Sequence, residues 1–411
     1  MGRINQMNVL EATEKRLELV FSDFENIFFS VSGGKDSSTM VQLANKIALK
    51  LNKKFDIMFL DQEAISKYTV EHIENLKKLS QLRVFYHICL PFEEDNSCSF
   101  FEPQWIMWDR DKKNKWVRNL PDTFDVIHEN NHSFPWFKKG MNDIEFYPLF
   151  SDWYQRLHKT KIACCVGLRS KESLNRRISI NNRYNKTYKS LRWSLHQDEK
   201  LTNNNEIYRF YPIFDWSVED IWKCTFDLGF EFNENYEQMF KNGVHLKDMR
   251  ICQPFGPQQR LGLSLFARSE PETWEKLVNR VSGVNCGALY SKSKLFGYLK
   301  TNKPKNMSWE KYACFLVESI SLKNEKIAQW YIDKIEVTLN YHLKKYNQKV
   351  TDETISTSKE FISWKEIARA LEKNDFWMKS LLFSESKKGY KLLEELKLDS
   401  ERVKKDAENE F

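Results

Sequence analysis

The sequence predicts an α/β protein built on a doubly wound parallel sheet, with an aromatic insertion and a mainly helical C-terminal domain. Short apolar runs alternate with amphipathic segments over residues 8–90, and the alternation resumes over residues 161–222. Strands that alternate with helices favour a parallel sheet. A glycine-rich turn also joins the first predicted strand to a helix, which places a loop at the carboxyl edge of that sheet, where ligands bind.

Each element rests on its own spacing of apolar residues. A three-to-four-residue spacing predicts helices, and short apolar runs predict strands. In order, the sequence predicts a helix over 8–26, strand 28–31, helix 37–51, strand 55–60, helix 69–79, strands 83–90 and 161–168, and a strand from 207 leading into a helix that Ser217 and Asp220 cap. We expect residues 1–242 to form a nucleotide-binding domain.

Residues 91–154 break the alternation, because they are rich in aromatic residues and proline and show weak periodicity. We predict an insertion over the ligand edge of the sheet. Its tryptophans and arginines have two interpretations: they stack on a base, or they only pack the insertion against the sheet. The residues concerned are Trp105, Trp108, Trp116, Arg110 and Arg118.

Residues 243–411 form the predicted helical domain. Its clearest helical patterns lie at 274–281, 308–320, 324–346 and 364–371.

The stretch from Ser32 to Ser37, Ser-Gly-Gly-Lys-Asp-Ser, has the features of a phosphate-binding loop. A strand-to-helix loop directs unpaired N–H groups and the helix dipole at one point, which favours an anion. Two glycines allow a tight turn and close approach of the anion. We predict Asp36 as a catalytic residue and Mg²⁺ ligand beside the phosphates. The predicted nucleotide-binding residues of the loop are Ser32, Gly33, Gly34, Lys35, Ser37 and Ser38.

Further candidates follow two other strands, whose carboxyl ends lie at the same edge of a parallel sheet. Asp61 and Glu63 follow the strand at 55–60, and we predict that they contact the nucleotide. Gly167 lies at the end of a later strand, and Arg169 and Arg176 follow it. We predict both arginines as catalytic, because cations there neutralise a leaving pyrophosphate. A solvated basic helix face is the alternative.

Composition and charge narrow the function classes. The net charge of +7 fits a polyanionic partner, and it equally fits a protein that binds only a nucleotide. No apolar run reaches the roughly 18 residues that span a bilayer, and the N-terminus lacks an apolar signal sequence. We therefore expect a cytoplasmic protein without a membrane partner. None of the eight cysteines forms a Cys-x-x-Cys pair, so no zinc is expected.

Three motifs resemble the phosphoadenosine phosphosulfate (PAPS) reductase-like family of adenine nucleotide α-hydrolases. They are residues 25–38 around the loop, residues 167–176 (Gly-Leu-Arg-Ser-Lys-Glu-Ser-Leu-Asn-Arg) and residues 211–222 (Tyr-Pro-Ile-Phe-Asp-Trp-Ser-Val-Glu-Asp-Ile-Trp). The insertion, residues 249–256 and the helical tail are similar to the subgroup typified by immunoglobulin-binding regulator A proteins of prophages and genomic islands. The resemblance implies ATP and Mg²⁺ as ligands, and a ParB/sulfiredoxin-like protein partner in a regulatory or defence role.

The sequence departs from the true reductases of this family. No cysteine follows Cys314, so the C-terminal nucleophile is missing. Cys164 and Cys165 lack a later Cys-x-x-Cys, so no iron–sulfur cluster is expected. We therefore predict that the chain cleaves ATP between the α- and β-phosphates, or adenylates an acceptor, and holds the pyrophosphate on the loop.

Two other functions compete with this prediction. One is a thiol-dependent reductase that uses Cys252 or Cys286. The other is a nucleic-acid-binding regulator with a nucleotide-sensing pocket, supported by basic and aromatic residues over 181–193. The long insertion and tail exceed what ATP hydrolysis needs, so we expect a second substrate or a protein partner at the sheet edge.

Overall fold

The chain forms two compact units. The computed structural model describes residues 8–99, 102–123, 125–180, 186–197, 206–251, 253, 255–256, 262–290, 303–304, 306–353 and 362–409. The first unit comprises Met1–Glu94, Trp105–Pro254 and Leu265–Arg280, and the second comprises Asp95–Gln104, Phe255–Ser264 and Val281–Phe411. The domain boundary expected at residues 242 and 243 stays a prediction.

The described residues form nine strands and fourteen α-helices. The strands are β1 (Asn26–Val31), β2 (Phe55–Leu60), β3 (Leu82–Cys89), β4 (Glu93–Asp95), β5 (Gln104–Ile106), β6 (Val126–His128), β7 (Ile162–Val166), β8 (Ser194–His196) and β9 (Ile207–Phe210). The helices are α1 (Val9–Asp23), α2 (Lys35–Leu51), α3 (Lys67–Leu76), α4 (Asp143–His158), α5 (Leu174–Ile180), α6 (Val218–Asp227), α7 (Asn235–Lys241), α8 (Leu263–Ser269), α9 (Pro271–Arg280), α10 (Val284–Tyr290), α11 (Trp309–Ser321), α12 (Glu325–Tyr346), α13 (Trp364–Glu372) and α14 (Lys387–Asn409).

Seven strands of the first unit make one sheet in the order β6-β3-β2-β1-β7-β9-β8. All neighbouring pairs are parallel except β8 with β9. The chain runs outward from β1 through β2 and β3 to β6 and then crosses to β7 on the other side of β1, so the strand order reverses between β1 and β7. This confirms the predicted doubly wound fold, with one antiparallel edge strand.

Helices cover both faces of the sheet, and this explains why β1 is apolar on both sides. The Phe29 ring faces Phe21 of α1, with ring centroids 6.4 Å apart. Its neighbour Phe28 faces the opposite side, where it packs edge-on against Phe150 and Tyr154 of α4 at 5.3 and 5.0 Å. Because successive side chains of a strand point to opposite faces, each phenylalanine fills a separate core.

The insertion contributes to the sheet, which the sequence did not reveal. The three-residue strand β6 extends the sheet beside β3. The predicted insertion over 91–154 ends inside α4, a helix capped by the Asn142 side chain. The helix carries Pro148 in its interior and aromatic residues on several faces, so its periodicity is hidden in the sequence.

The second unit has its own helical core. Trp309 of α11, Tyr331 of α12 and Ile367 of α13 are buried together. Ser363 and Glu366 form a capping box that begins α13. The four helices predicted from the sequence are present as α9, α11, α12 and α13, although α9 belongs to the first unit. In the described part of the chain, no helix has both the length and the apolar character needed to cross a membrane.

Candidate functional site

The loop between β1 and α2 turns at a glycine with a positive φ. Gly33 has φ +73, and a Cβ at this position would lie 2.8 Å from Thr69 Cγ2. Both the left-handed backbone and the close contact therefore require glycine there. Gly34 is the N-cap of α2 and supplies no side-chain cap. The N–H groups in the first turn of α2 are consequently not capped by the N-cap side chain.

The first turn of α2 offers backbone donors. The first N–H that bonds within the helix belongs to Ser38, so the N–H groups of Lys35, Asp36 and Ser37 have no intrahelical partner. Lys35 donates its N–H to the Tyr236 hydroxyl at 2.9 Å. The N–H groups of Asp36 and Ser37 remain at the positive end of the helix dipole, which is the predicted place for an anion.

The three loop hydroxyls have different environments. The Ser32 and Ser37 oxygens lie 3.3 Å apart, and the Ser32 N–H donates to Ser37 Oγ at 3.2 Å. The Ser38 hydroxyl instead lies 2.7 Å from His72 Nε2, and both residues are buried. Ser32 is therefore exposed at the loop, whereas Ser37 and Ser38 are buried, and the predicted nucleotide contacts of all three residues stay predictions.

His72 makes the support of the loop sensitive to acid. Burial lowers its pKa from 6.5 to about 4, because the charged imidazole would lose its hydration. Its Nδ1 has no hydrogen-bond partner among the described residues. As the pH falls from 6.5 towards 4, the unfolded chain takes up this proton first, so stability is lost over that window.

We expect the free energy of unfolding to fall by about 2 kcal/mol more in the wild type than in His72→Gln on going from pH 7 to pH 5. The glutamine amide can still donate to Ser38 but does not titrate. Urea unfolding of both proteins at the two pH values checks this. Equal losses would show that protonation of His72 does not couple to folding.

Gly167 and Arg169 connect the end of β7 with the loop. A Cβ at Gly167 would lie 2.9 Å from both Ser37 N and Ser37 Cα, so the two backbones meet with no side chain between them. Arg169 follows and donates from Nε to Asp36 Oδ1 at 2.5 Å. The Arg169 side chain is 5% exposed and that of Asp36 is 14% exposed. The structure thus brings together Gly167, Arg169 and the loop, as the sequence predicts.

Lys35 adds a second cation beside Asp36. Its ammonium lies 3.6 Å from Asp36 Oδ2 and donates to the Met249 carbonyl at 3.0 Å. Burial lowers the pKa of Lys35, while the Asp36 carboxylate opposes that shift. Asp36 therefore lies between two cationic side chains, those of Lys35 and Arg169.

Sequence reasoning missed the segment at 233–236, which packs against the loop. Asn233 donates to the Gly33 carbonyl at 3.0 Å and to Thr69 Oγ1 at 2.9 Å. Tyr236 places its hydroxyl on Lys35, and its ring lies 5.2 Å from that of Trp222. The Asn-Glu-Asn sequence before α7 indicates a helix start, but nothing in it indicates a contact two hundred residues away in the chain.

Arg176 differs from Arg169. It lies on α5 and forms an ion pair with Glu172, four residues earlier. Its side chain is 39% exposed, which matches the alternative of a solvated helix face. Its catalytic role stays a prediction.

Both carboxylate oxygens of Glu63 accept hydrogen bonds from protein groups. Arg280 of α9 binds it through Nε at 2.8 Å and Nη2 at 3.0 Å. The backbone N–H groups of Trp108 and Val117 donate to it at 2.6 and 3.1 Å. Glu63 therefore fastens the insertion and α9 to the end of β2, and its predicted nucleotide contact stays a prediction.

Asp61 is engaged in a similar way. Its oxygens bind the Arg118 guanidinium and, at 2.8 Å, His87 Nε2. Burial alone would raise the pKa of Asp61, but Arg118 and His87 outweigh it and lower the pKa to about 2. Trp108 donates its indole N–H to the Asp61 carbonyl at 2.7 Å. The predicted role of Asp61 in nucleotide binding also stays a prediction.

Asp61, His87 and Cys89 have potential metal-ligand atoms within 4.8 Å of one another. The Nε2 proton of His87 is already donated to Asp61, and no described residue bonds to Nδ1. The Arg118 guanidinium lies on the Asp61 carboxylate, and its positive charge opposes a cation at this cluster. The cluster therefore fits a structural hydrogen-bonded group better than a metal site.

The aromatic residues of two segments pack inward. In the insertion, Trp108 is 1% exposed and Trp105 is 8% exposed, so the packing interpretation describes both. In the basic segment, the rings of Tyr188 and Trp193 are buried too, and residues 181–185 lie outside the described ranges. These rings do not present the exposed stacking surface that single-stranded nucleic acid requires.

The cysteines give no support to a thiol mechanism at this site. Cys164 and Cys165 are buried in β7, and burial raises the pKa of both thiols. Cys286 is exposed on α10 of the second unit. Cys252 lies outside the described residues.

Comparison with known proteins shows which family the chain matches. The profile of the phosphoadenosine phosphosulfate reductase domain matches residues 26–242, and that of DUF3440, a domain of unknown function, matches residues 243–348. The Escherichia coli (strain K12) protein "Uncharacterized protein YbdN" is 33% identical over 390 residues, which cover 93% of this chain and 92% of that protein.

Two solved structures are similar to parts of the chain. The FMN adenylyltransferase of Candida glabrata, in complex with FAD and inorganic pyrophosphate, has a TM-score of 0.33 at 16% identity over 56% of this chain, and 58% of its own length is covered. The PAPS reductase of Candida auris, a phosphate complex, has a TM-score of 0.28 at 12% identity over 57% of this chain and 86% of its own.

The reductase-domain profile covers more than half of the chain, from β1 to the end of α7. It contains the loop after β1, the loop after β7 and the segment that packs against them. The chain belongs to the phosphoadenosine phosphosulfate reductase domain family.

Proposed function

We propose that the chain binds ATP with its pyrophosphate end on the Ser32–Ser37 loop, and that it cleaves the bond between the α- and β-phosphates or adenylates an acceptor. One observation carries this proposal: the loops after β1 and β7 meet where the strand order reverses, with Gly167 against Ser37 and Arg169 on Asp36. Ligands of open α/β sheets bind in the crevice at such a switch point.

The charges near the loop support an anionic ligand. The N–H groups of Asp36 and Ser37 lie at the end of the α2 dipole, and the Lys35 ammonium and the Arg169 guanidinium lie beside the Asp36 carboxylate. Attack on the α-phosphorus by water or an acceptor expels pyrophosphate and leaves new negative charge on its oxygen. In this proposal the loop amides hold the pyrophosphate, Arg169 stabilises the developing charge, and no protein nucleophile is needed.

The fit of Mg²⁺ to Asp36 is poor in this arrangement. One carboxylate oxygen already accepts from Arg169 at 2.5 Å, and the other lies 3.6 Å from the Lys35 ammonium. A divalent cation there would face two positive charges at close range. Mg²⁺ in this proposal accompanies the phosphates of ATP, and no step of the reaction is assigned to it.

Replacing Arg169 by Gln should slow ATP turnover by about 100-fold or more, the usual effect of removing one group that stabilises developing charge. The exposed Arg177, on the neighbouring α5, provides the control, and Arg177→Gln should leave turnover unchanged. Chromatography of the nucleotide products tests both the rate and the bond. AMP with pyrophosphate is the expected pair, and ADP with phosphate would contradict the proposal.

The acceptor stays open in this proposal. A ParB/sulfiredoxin-like protein remains the candidate partner that the resemblance implies, and co-purification with and without ATP tests it. ATP turnover at full rate by the isolated chain, without association in either condition, would remove the partner from the proposal.

A further inference from the structure

Asp36 contacts only the Nε edge of the Arg169 guanidinium, which leaves the two Nη groups available for hydrogen bonding. Asp36 Oδ1 accepts from Nε at 2.5 Å, and among the described residues neither Nη group of Arg169 has a hydrogen-bond partner. Yet the Arg169 side chain is only 5% exposed. A buried guanidinium held by one edge presents its other donors in a fixed direction.

Backbone packing beside Arg169 further restricts the orientation of its guanidinium. Because Gly167 has no side chain, the turn before Arg169 packs directly on the backbone of Ser37 and of Asp36, with a hypothetical Cβ 2.9 and 3.2 Å away from them. Asp36 itself lies in the first turn of α2, whose second residue it is. The carboxylate and the loop amides therefore belong to one rigid segment.

We propose that Asp36 is a positioning residue: it holds Arg169 by Nε so that the two Nη groups face the pyrophosphate bound on the loop, and it does not serve as the metal ligand. This inference rests on the proposed function, since it needs an anion on the loop. It adds to the proposed function that anion binding on the loop does not require a metal at Asp36. The Arg169 side chain therefore loses its conformational entropy before the ligand binds, and this loss does not weaken binding.

Two replacements of Asp36 separate positioning from metal binding. In Asp36→Asn the amide oxygen still accepts from Arg169 Nε, and a negative charge beside the anion is removed. In Asp36→Ala the guanidinium loses its anchor. Calorimetric titration with inorganic pyrophosphate in EDTA should therefore give Asp36→Asn an affinity within about threefold of the wild type and Asp36→Ala an affinity about tenfold weaker or more.

Arg169→Lys provides a second background for Asp36→Ala, so the test does not depend on the folding of the Asp36→Ala single variant. Lysine keeps the charge but has no Nε–H and no planar fork. If Asp36 acts through Arg169, adding Asp36→Ala to Arg169→Lys should weaken pyrophosphate binding by no more than about twofold. Asp152 of α4 provides the matched control, because its side chain is 14% exposed, as that of Asp36 is, and it accepts from Arg156 Nε at 2.7 Å. Asp152→Ala should leave pyrophosphate affinity unchanged.

Three results would overturn the inference: equal losses in Asp36→Asn and Asp36→Ala, losses that appear only with Mg²⁺, or a full loss from Asp36→Ala in the Arg169→Lys background. A wild type that binds neither pyrophosphate nor ATP in any condition would instead overturn the proposed function. The two failures are distinguishable because the first set requires a wild type that binds.

Discussion

Replacing Glu63 by Gln is expected to lower the free energy of unfolding of the first unit by about 3–5 kcal/mol, because it leaves the Arg280 guanidinium buried without a counter-charge. The two side chains are 0% and 1% exposed, and they meet through two hydrogen bonds. The substitution keeps the size of the side chain, so it tests charge rather than packing. Chemical denaturation followed by tryptophan fluorescence measures the change.

The exposed pair of Lys223 and Asp227 provides the control. Its side chains are 75% and 55% exposed, so Asp227→Asn should change the stability by less than about 0.5 kcal/mol. Combining Glu63→Gln with Arg280→Met should recover part of the loss, because it removes both buried charges and keeps one acceptor for the backbone N–H groups of Trp108 and Val117. A Glu63→Gln protein as stable as the wild type would show that this pair does not anchor the insertion.

Replacing Gly167 by Ala should weaken pyrophosphate binding by at least about tenfold, because the new methyl group overpacks the loop. The atoms it would meet are the backbone N and Cα of Ser37 at 2.9 Å and the carbonyl carbon of Asp36 at 3.2 Å. Backbone cannot yield as a flexible side chain does, so the first turn of α2 must move. The methyl group would also cover the Ser37 N–H that the anion needs. Calorimetry with pyrophosphate checks this.

Gly229 gives a matched glycine control. It has φ +62, and a Cβ there would meet nothing within 4 Å. Gly229→Ala should therefore cost about 1 kcal/mol of stability through its backbone conformation and leave pyrophosphate affinity unchanged. If the two alanine variants weaken binding equally, the close approach at Gly167 is not what shapes the site.

The elements with strong local patterns were predictable. The strand at 55–60 is present with the predicted bounds, and Ser217 caps α6 together with Asp220 as its capping-box pattern indicates. The loop from Ser32 to Ser37 and its meeting with Arg169 were predictable too, because parallel strands bring their carboxyl ends to one edge. These features depend on short stretches of sequence and on one topological rule.

Contacts between distant residues were not predictable in the same way. Glu63 and Arg280 are 217 residues apart, so the sequence shows two charges and not their pairing. Asp61 and Glu63 follow a strand as ligand-binding carboxylates do, and the buried partners that occupy them appear only in the fold. Tyr236 was missed for the same reason: a tyrosine in a short polar helix carries no local sign of its contact with Lys35.

The most direct measurement of the central claim is a calorimetric titration of the wild-type chain with ATP, inorganic pyrophosphate and AMP. If the loop after β1 holds the pyrophosphate end of the nucleotide, ATP and pyrophosphate should both bind, and AMP should bind at least about tenfold more weakly because it lacks the groups that the loop contacts. AMP that binds as tightly as ATP, with no binding of pyrophosphate, would contradict the account.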